Sequence, residues 1–427
     1  MNKEKTMPNK IWNEEVKKEI IDIFQSLIKI KTINSYNNEI EAAKYIKDLL
    51  KKDGIESRII EPAEGRGNII AKLDGGKEPP ILIISHLDVV DVERDEWIHD
   101  PFEAIIDEGK IYGRGTLDTK HLTVMGLITM ILLKRNNIKL NRDIYFIATA
   151  DEENGSTYGM KYLTKHYPYL IPKGYVINEG GGFVIEVADK LFRTCACGEK
   201  GVCEVKVKVE SNNEKGICNV NNNTMVKLSK IIEKATSYES EKIICSISSK
   251  FEEIAGDCIY EDETLNNLWE YMIYNTITIN EFNITRNIEN LNEPIEIFLN
   301  FRFVPGVLRE DIIAIIEEIL EDTDSSWEIT QYTEGYESSL NNNFIKTLAC
   351  KSNEFSKDMA MLPMIALGNT DGRFIRHNVY GYSPLLDDIP FSKVLEKVHS
   401  HNECITIDSL IYGSRVIFET VLELSSK

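Results

Sequence analysis

The sequence predicts an α/β fold: a largely parallel sheet with helices on both faces, interrupted by a smaller inserted α+β unit. Three observations carry this expectation. Apolar runs of strand length recur through the first half, PPILIIS (79–85), DIYFIATA (143–150) and the shorter GYVIN (174–178), as buried parallel strands do. Between the first two lies LTVMGLITMILLKRN, whose apolar spacing gives about four turns of helix. A strand–helix–strand order without tight hairpins makes the sheet parallel. Near residue 200 the texture changes, and VCEVKVKVE alternates with period two, the pattern of a half-exposed strand.

The elements of the second half follow from the same rules. After the polar stretch SNNEKGICNVNNN comes MVKLSKIIEKA, which reads as helix. IEIFLNFRFV reads as a strand and LREDIIAIIEEIL as an amphipathic helix. Elements of this kind, packed on one face, place the inserted unit at 203–334, between two parts of the larger unit, 1–202 and 335–427. The α/β texture resumes with MLPMIAL, a turn TDGRF and the strand-like VYGYS. Asn-rich patches at 219–223, 283–292 and 341–343 read as loops. A length of 427 residues exceeds what one hydrophobic core organises, which also argues for two domains.

Charge narrows the partners. With 69 acidic against 49 basic residues the formal charge is −20, a field that disfavours nucleic acid and anionic membranes. The N-terminal stretch has no apolar signal core, and no run of about 18 apolar residues suggests a membrane span. A cytoplasmic protein is therefore expected. The eight cysteines are scattered, as free thiols in a reducing compartment are. Cys195 and Cys197 are spaced as half a metal site or as small residues of a strand, and no second pair at zinc-site spacing favours the strand.

Chemistry-bearing residues gather where the strands end. ISHLDVVD places His86 and Asp88 two apart on an extended segment, hence on one side. A metal-binding histidine gives its other N–H to a carboxylate or carbonyl, so Asp88 either orients His86 or sets the backbone locally. GKIYGRGTLDTK delivers Asp118 ahead of the apolar helix, as a ligand or as the helix N-cap. TADEENGS sets Asp151, Glu152 and Glu153 side by side after a buried strand, where adjacent carboxylates repel and resist desolvation. A dication held by one glutamate and a proton taken by the other would account for both charges; a surface loop is the bland alternative. YVINEGGG sets Glu179 at a strand end, and KVHSHNECI offers His399 and His401. Together these are nitrogen and oxygen donors that suit zinc, and a carboxylate bridging two ions about 3.5–4 Å apart is the core of a two-metal hydrolase.

In this order, SHLDVVD, WIHDPFEAIIDEGKIYGRGTLDTK, ADEENGS, NEGGG, CGEKG, NFRFVPG, NTDGRF and HSHNE run from about residue 20 to the C-terminus. They resemble the zinc-dependent family of aminoacylases, glutamate carboxypeptidases, carboxypeptidase S and succinyl-diaminopimelate desuccinylase. The resemblance implies a catalytic domain, 1–202 with 335–427, and a lid or dimerisation domain, 203–334. It implies that His86 ligates one ion, that Asp118 bridges both, and that Glu179 completes the first ion's shell. Glu153 and His399 would complete the second, with His401 as the competitor of His399. Asp88 would orient His86, Glu152 would be the general base, and Asp151 is left to the turn. Arg302 in NFRFVPG would hold the substrate's carboxylate, a task that suits a guanidinium fork. Thr370, Arg373 and Asn275 are further substrate-binding candidates. The implied cofactors are two Zn2+ ions, with Co2+ or Mn2+ able to fill such sites, and the implied partners are a small molecule or short peptide and a second subunit docked through the lid.

Two departures stand out. The family's lid carries a Gly-His whose histidine polarises the scissile carbonyl from the neighbouring subunit. Here Ile217 follows Gly216, and residues 167–376 contain no histidine. Losing one oxyanion donor costs about 2.7–4 kcal/mol, unless Asn219 or Asn221 substitutes. His121 stands where the family has glycine, either as a polar contact near the site or as a structural histidine. The expected function is hydrolysis of an amide bond in an N-acyl amino acid or short peptide with a free carboxylate, as a deacylase, carboxypeptidase or dipeptidase. The alternative is a metal-binding relative that has lost or repurposed hydrolysis and serves as a binding or scaffold protein.

Overall fold

The computed structural model describes residues 11–187, 190–210, 224–283 and 294–426. Ile217, Asn219 and Asn221 lie outside the described residues.

Helices α1 (Glu14–Lys29) and α2 (Glu39–Lys52) lead into strands β1 (Ser57–Ile60), β2 (Asn68–Leu73) and β3 (Glu78–His86). Next come α3 (Lys120–Arg135), β4 (Arg142–Thr149), α4 (Met160–His166), β5 (Tyr175–Asn178), β6 (Val184–Val187) and β7 (Lys190–Glu199). The chain then enters β8 (Gly201–Val209), α5 (Thr224–Thr236), α6 (Ser246–Ala255), α7 (Glu263–Ile273), β9 (Thr276–Asn283), β10 (Ile295–Phe303), α8 (Arg309–Leu320) and β11 (Ser325–Thr333). It closes with β12 (Tyr336–Glu337), α9 (Asn343–Glu354), β13 (Ala360–Ala366), β14 (Val379–Gly381), α10 (Phe391–Lys397) and α11 (Ile407–Ser425).

The large sheet has ten strands in the order β1-β2-β4-β3-β5-β14-β7-β12, with β13 and β6 also pairing β7. β3 runs parallel to β4 and β5, and β14 parallel to β5, so the centre is parallel as expected. The β1–β2 and β2–β4 pairs are antiparallel. Along β3 the side chains divide between two cores. Ile81 and Ile83 join one with α3 and α11, while Leu82 and Ile84 join a second with Met160 and Leu163 of α4. Burial on both faces is why this strand reads as an unbroken apolar run. α3 is buried along most of its length, and Gly126 lets it sit close to the sheet, since a Cβ there would lie 2.8 Å from Ile83 Cγ2.

β8 to β11 form a separate antiparallel sheet, ordered β9-β10-β8-β11. Alternate residues Val205, Val207 and Val209 of β8 point into a core with Ile231 of α5 and Ile312 and Ile316 of α8. Within the same span, α6 and α7 pack elsewhere. Their Ile247, Phe251, Leu265 and Trp269 join the core of the large sheet. Cys195 and Cys197, on β7, are buried in that core too.

Candidate metal centre

Parallel pairing brings the carboxyl ends of β3, β4 and β5 to one edge, where sheets of this kind hold ligands. His86 is the last residue of β3 and pairs with Thr149, the last of β4. Glu152 and Glu153 follow in a short 3-10 turn, and Glu179 follows β5 directly. Asp151 enters the turn with φ of +65°, a conformation that asparagine and aspartate tolerate better than most. Its buried carboxylate accepts the Tyr158 N–H at 3.0 Å and faces the Arg66 guanidinium at 3.5 Å. Arg66 in turn pairs with buried Glu39.

Asp118 does not cap α3. Thr119 holds the N-cap position, without a side-chain cap bond, and Asp118 turns into the site. Its Oδ1 lies 3.0 Å from His86 Nε2, and its Oδ2 lies 2.9 Å from His399 Nε2. Glu179 Oε2 is 3.2 Å from the same His86 nitrogen, and Glu153 Oε2 is 3.1 Å from the same His399 nitrogen. Donor atoms of His86, Asp118 and Glu153, and of His86, Glu152 and Glu179, each fall within 4.8 Å of one another. His401 is exposed, and among the described residues these donor groups do not include it.

The electrostatics of the cluster demand positive charge. Burial alone would depress the His86 imidazole, yet Glu179, Asp118 and Asp88 hold it well above its usual value. Hydrogen bonds to Asp118 and Glu153 raise His399 to about 10. Burial raises Glu179 to about 7 and Glu152 well above the usual carboxylate range, with Glu179 adding to the latter. Asp118 goes the other way: against its burial, the two histidines hold it below that range. Glu153 Oε1 is buried without a hydrogen-bond partner. Buried carboxylates around imidazoles, one with an uncompensated oxygen, fit a divalent cation site of mixed nitrogen and oxygen donors.

The residues around the donors explain how they are held. His86 Nδ1 meets the Asp88 backbone carbonyl at 2.9 Å, while the Asp88 carboxylate stands 3.6 Å away. That carboxylate instead accepts the backbone N–H groups of Glu152 and Glu153, each at 3.1 Å, and the Asn34 amide at 2.8 Å. Glu403, fully buried, accepts the N–H groups of Leu117 at 2.6 Å and Asp118 at 3.1 Å, and the Arg114 guanidinium at 2.8 Å. Asp371 accepts the hydroxyls of Thr149 and Ser156, which ties the end of β4 to the turn of the two glutamates. Sequence reading gave no role to Glu403, Asp371, Asn34 or Glu199. Three of these sit inside the motifs HSHNE, TDGRF and CGEKG, so the signal was present but attached to neighbours.

The substrate-binding candidates are spread more widely. Arg302, on β10, bonds Asn369 and, through Nε, Asn300 at 3.1 Å. Asn369 lines a cavity of 370 Å³ that also takes in Asp118, Glu152, Glu153, Glu179 and His399. The Thr370 hydroxyl donates to Glu199 at 2.9 Å and accepts from Asn178 at 2.8 Å, so protein groups engage it on both sides. Arg373 is buried over the Phe374 ring at 4.9 Å, with its Nε unpartnered. Asn275 accepts the Val304 N–H at 2.8 Å, linking the start of β9 to the end of β10. His121 is buried with neither ring nitrogen hydrogen-bonded, and burial lowers it to about 4. That is the structural reading of this histidine.

An α/β domain with helices on both faces of its sheet, and with acidic and histidine donors at the carboxyl ends of its parallel strands, is the architecture of a metal-dependent hydrolase. The profile of peptidase family M20/M25/M40 matches residues 82–423, and the chain belongs to this family. It is 28% identical over 362 residues to a Staphylococcus aureus protein named probable succinyl-diaminopimelate desuccinylase, covering 83% of this chain and 86% of the relative. The fold is similar to an M20 metallo-carboxypeptidase of Sulfolobus solfataricus, with a TM-score of 0.73 at 19% identity over 95% of this chain and 98% of the other. It is also similar to a dinuclear metal-binding M20 peptidase of Bacillus subtilis, with a TM-score of 0.62 at 12% identity over 96% and 99% of the two chains. Among the described residues no helix is long and apolar enough to cross a membrane.

Proposed function

We propose that the protein hydrolyses the amide bond of an N-acyl amino acid or short peptide bearing a free carboxylate. The observation that carries this reading is Asp118, which turns one oxygen to His86 and the other to His399, with Glu152 on the wall of the same cavity. In this reading His86, Asp118 and Glu179 hold one divalent ion, and Asp118, Glu153 and His399 hold a second. The donor set suits zinc, with cobalt or manganese as chemical substitutes. When bound, such ions supply the Lewis acidity that activates water and polarises an amide carbonyl.

The chain's own groups do the rest. Glu152, buried on the wall of the cavity, takes the proton of the attacking water and delivers it to the departing nitrogen. Asp88 holds both glutamate backbones in register. Arg302 approaches the cavity through Asn369 and anchors the substrate's carboxylate. The name of the staphylococcal relative supports the deacylase branch, and that of the Sulfolobus neighbour a carboxypeptidase. Ile217 favours the rival reading, a metal-binding protein without hydrolysis, because it removes an oxyanion donor.

The test is turnover by zinc-loaded protein across N-acyl amino acids and dipeptides, before and after chelation. Hydrolysis that chelator abolishes and zinc restores is the expected result. No turnover of any member, with two ions bound, would overturn the reading.

A further inference from the structure

The cavity beside the metal centre brings together two chemically distinct sets of side chains, beside the polar Asn369, Thr370 and Ser383. One comprises Asp118, Glu152, Glu153, Glu179 and His399. The other is apolar, with Phe183, Met364, Leu367, Phe391, Leu395 and Val398. The Phe183 and Phe391 rings lie 5.8 Å apart, and Phe391 and Met364 are buried. Leu367 and Leu395 are instead 37% and 41% exposed. Both line the same cavity as the candidate metal ligands. Among the described residues, its lining includes no lysine and no arginine.

These facts constrain the acyl half of the substrate. Arg302, which bonds the lining residue Asn369 from behind, is left to the carboxylate of the amino-acid half. An acyl group placed against the wall of Phe183, Phe391 and Leu395 meets hydrocarbon. A carboxylate at the tip of that acyl group would lose its water against hydrocarbon, with no lysine or arginine among the described lining residues to pair it. An aliphatic or aromatic tip would instead cover Leu367 and Leu395 and remove apolar surface from water.

We infer that this cavity selects an acyl group with an apolar end and discriminates against one ending in a carboxylate, succinyl included. The inference rests on the hydrolase reading for the position of the scissile bond but not for the character of the wall. Phe183, Phe391 and Leu395 are the specificity-determining residues, with Leu395 at the accessible rim.

The test compares N-succinyl-alanine with N-(4-methylpentanoyl)-alanine, in which an isopropyl group replaces the terminal carboxylate at equal size. Turnover is measured on the zinc-loaded wild-type protein and binding, by calorimetry, on zinc-loaded Glu152→Gln. The expected result is at least about a tenfold preference for the apolar acyl group in both readouts, the size of effect a matched hydrophobic pocket gives. In Leu395→Lys, an exposed position where the substitution does not burden folding, that ratio moves toward the succinyl compound. Equal or better use of N-succinyl-alanine by wild type would overturn the inference while leaving the hydrolase reading standing. No turnover, with tighter binding of the apolar compound, would overturn the hydrolase reading and support the cavity's selectivity. Binding of neither compound would overturn the inference.

Discussion

The Asp88 carboxylate accepts the backbone N–H of Glu152 at 3.1 Å. Its second oxygen accepts the next N–H, that of Glu153, also at 3.1 Å. One buried carboxylate thus fixes the segment that carries both the general-base candidate and a ligand candidate, and its backbone carbonyl takes the His86 N–H. In Asp88→Asn the amide nitrogen would confront one of these N–H groups, donor against donor. We expect kcat/KM to fall by about 10–100-fold, the usual cost of losing a group that orients metal ligands, with a matching loss of zinc affinity. Steady-state kinetics and metal titration of the variant check this, and unchanged values would show that Asp88 positions nothing.

Glu403 does the same work for Asp118 from the opposite end of the sequence. Its carboxylate accepts the N–H groups of Leu117 and Asp118 beneath the loop. Glu403→Gln leaves one oxygen where two served and sets an NH2 against N–H donors. Zinc affinity should drop by about 10–100-fold, and unfolding free energy by about 1–3 kcal/mol for the unsatisfied buried donors. Denaturant titration with and without zinc separates the two effects.

Glu199 makes a pH prediction away from the donors. Burial pushes its carboxyl up to about 7 from an unfolded value of 4.5. Between those pH values the folded chain holds more protons than the unfolded one, so this group's contribution is fully present below pH 4.5 and is lost as pH rises through 7. Glu199→Gln should flatten the decline in stability across that window by up to one proton's slope, about 1.4 kcal/mol per pH unit. Urea unfolding at pH 5, 6, 7 and 8 reads it directly. A variant whose slope matches wild type would place the Glu199 titration elsewhere. Glu39, which burial also raises to about 7, contributes equally to both proteins and cancels in the difference.

Metal removal should destabilise the fold as well as silence it. Ions that bind only the native state stabilise it by about 2.7 kcal/mol at a hundred times their dissociation constant. Chelation should therefore lower Tm, and added zinc should raise it in a concentration-dependent way. A Tm indifferent to zinc would argue that the carboxylate cluster is not a metal site.

Sequence periodicity located β3, β4 and α3 closely because burial on both faces writes an unbroken apolar run. It did not separate α6 and α7 from the insert, since an amphipathic helix shows which face it buries but not against which core. Ile247 and Trp269 join the large sheet's core although they sit between strands of the small one. Within the site, residues rich in chemistry for their type, His86 and Glu152 among them, were legible from strand ends. Glu403 and Glu199 were not, because their role is to accept backbone N–H groups, and that partnership is set by loops distant in sequence. The apolar cavity wall was equally hidden, as its residues come from β6's approach, β13 and α10 and share no local pattern.

The most direct test of the account is turnover of the best amide substrate by Glu152→Gln with two zinc ions confirmed in the same sample. Glutamine keeps the shape of the side chain and removes only its ability to carry the proton. The account predicts full metal content and a rate at least about 100-fold below wild type, the lower range for a lost general base. Full metal content with a wild-type rate would contradict it, and would move the proton transfer to another group.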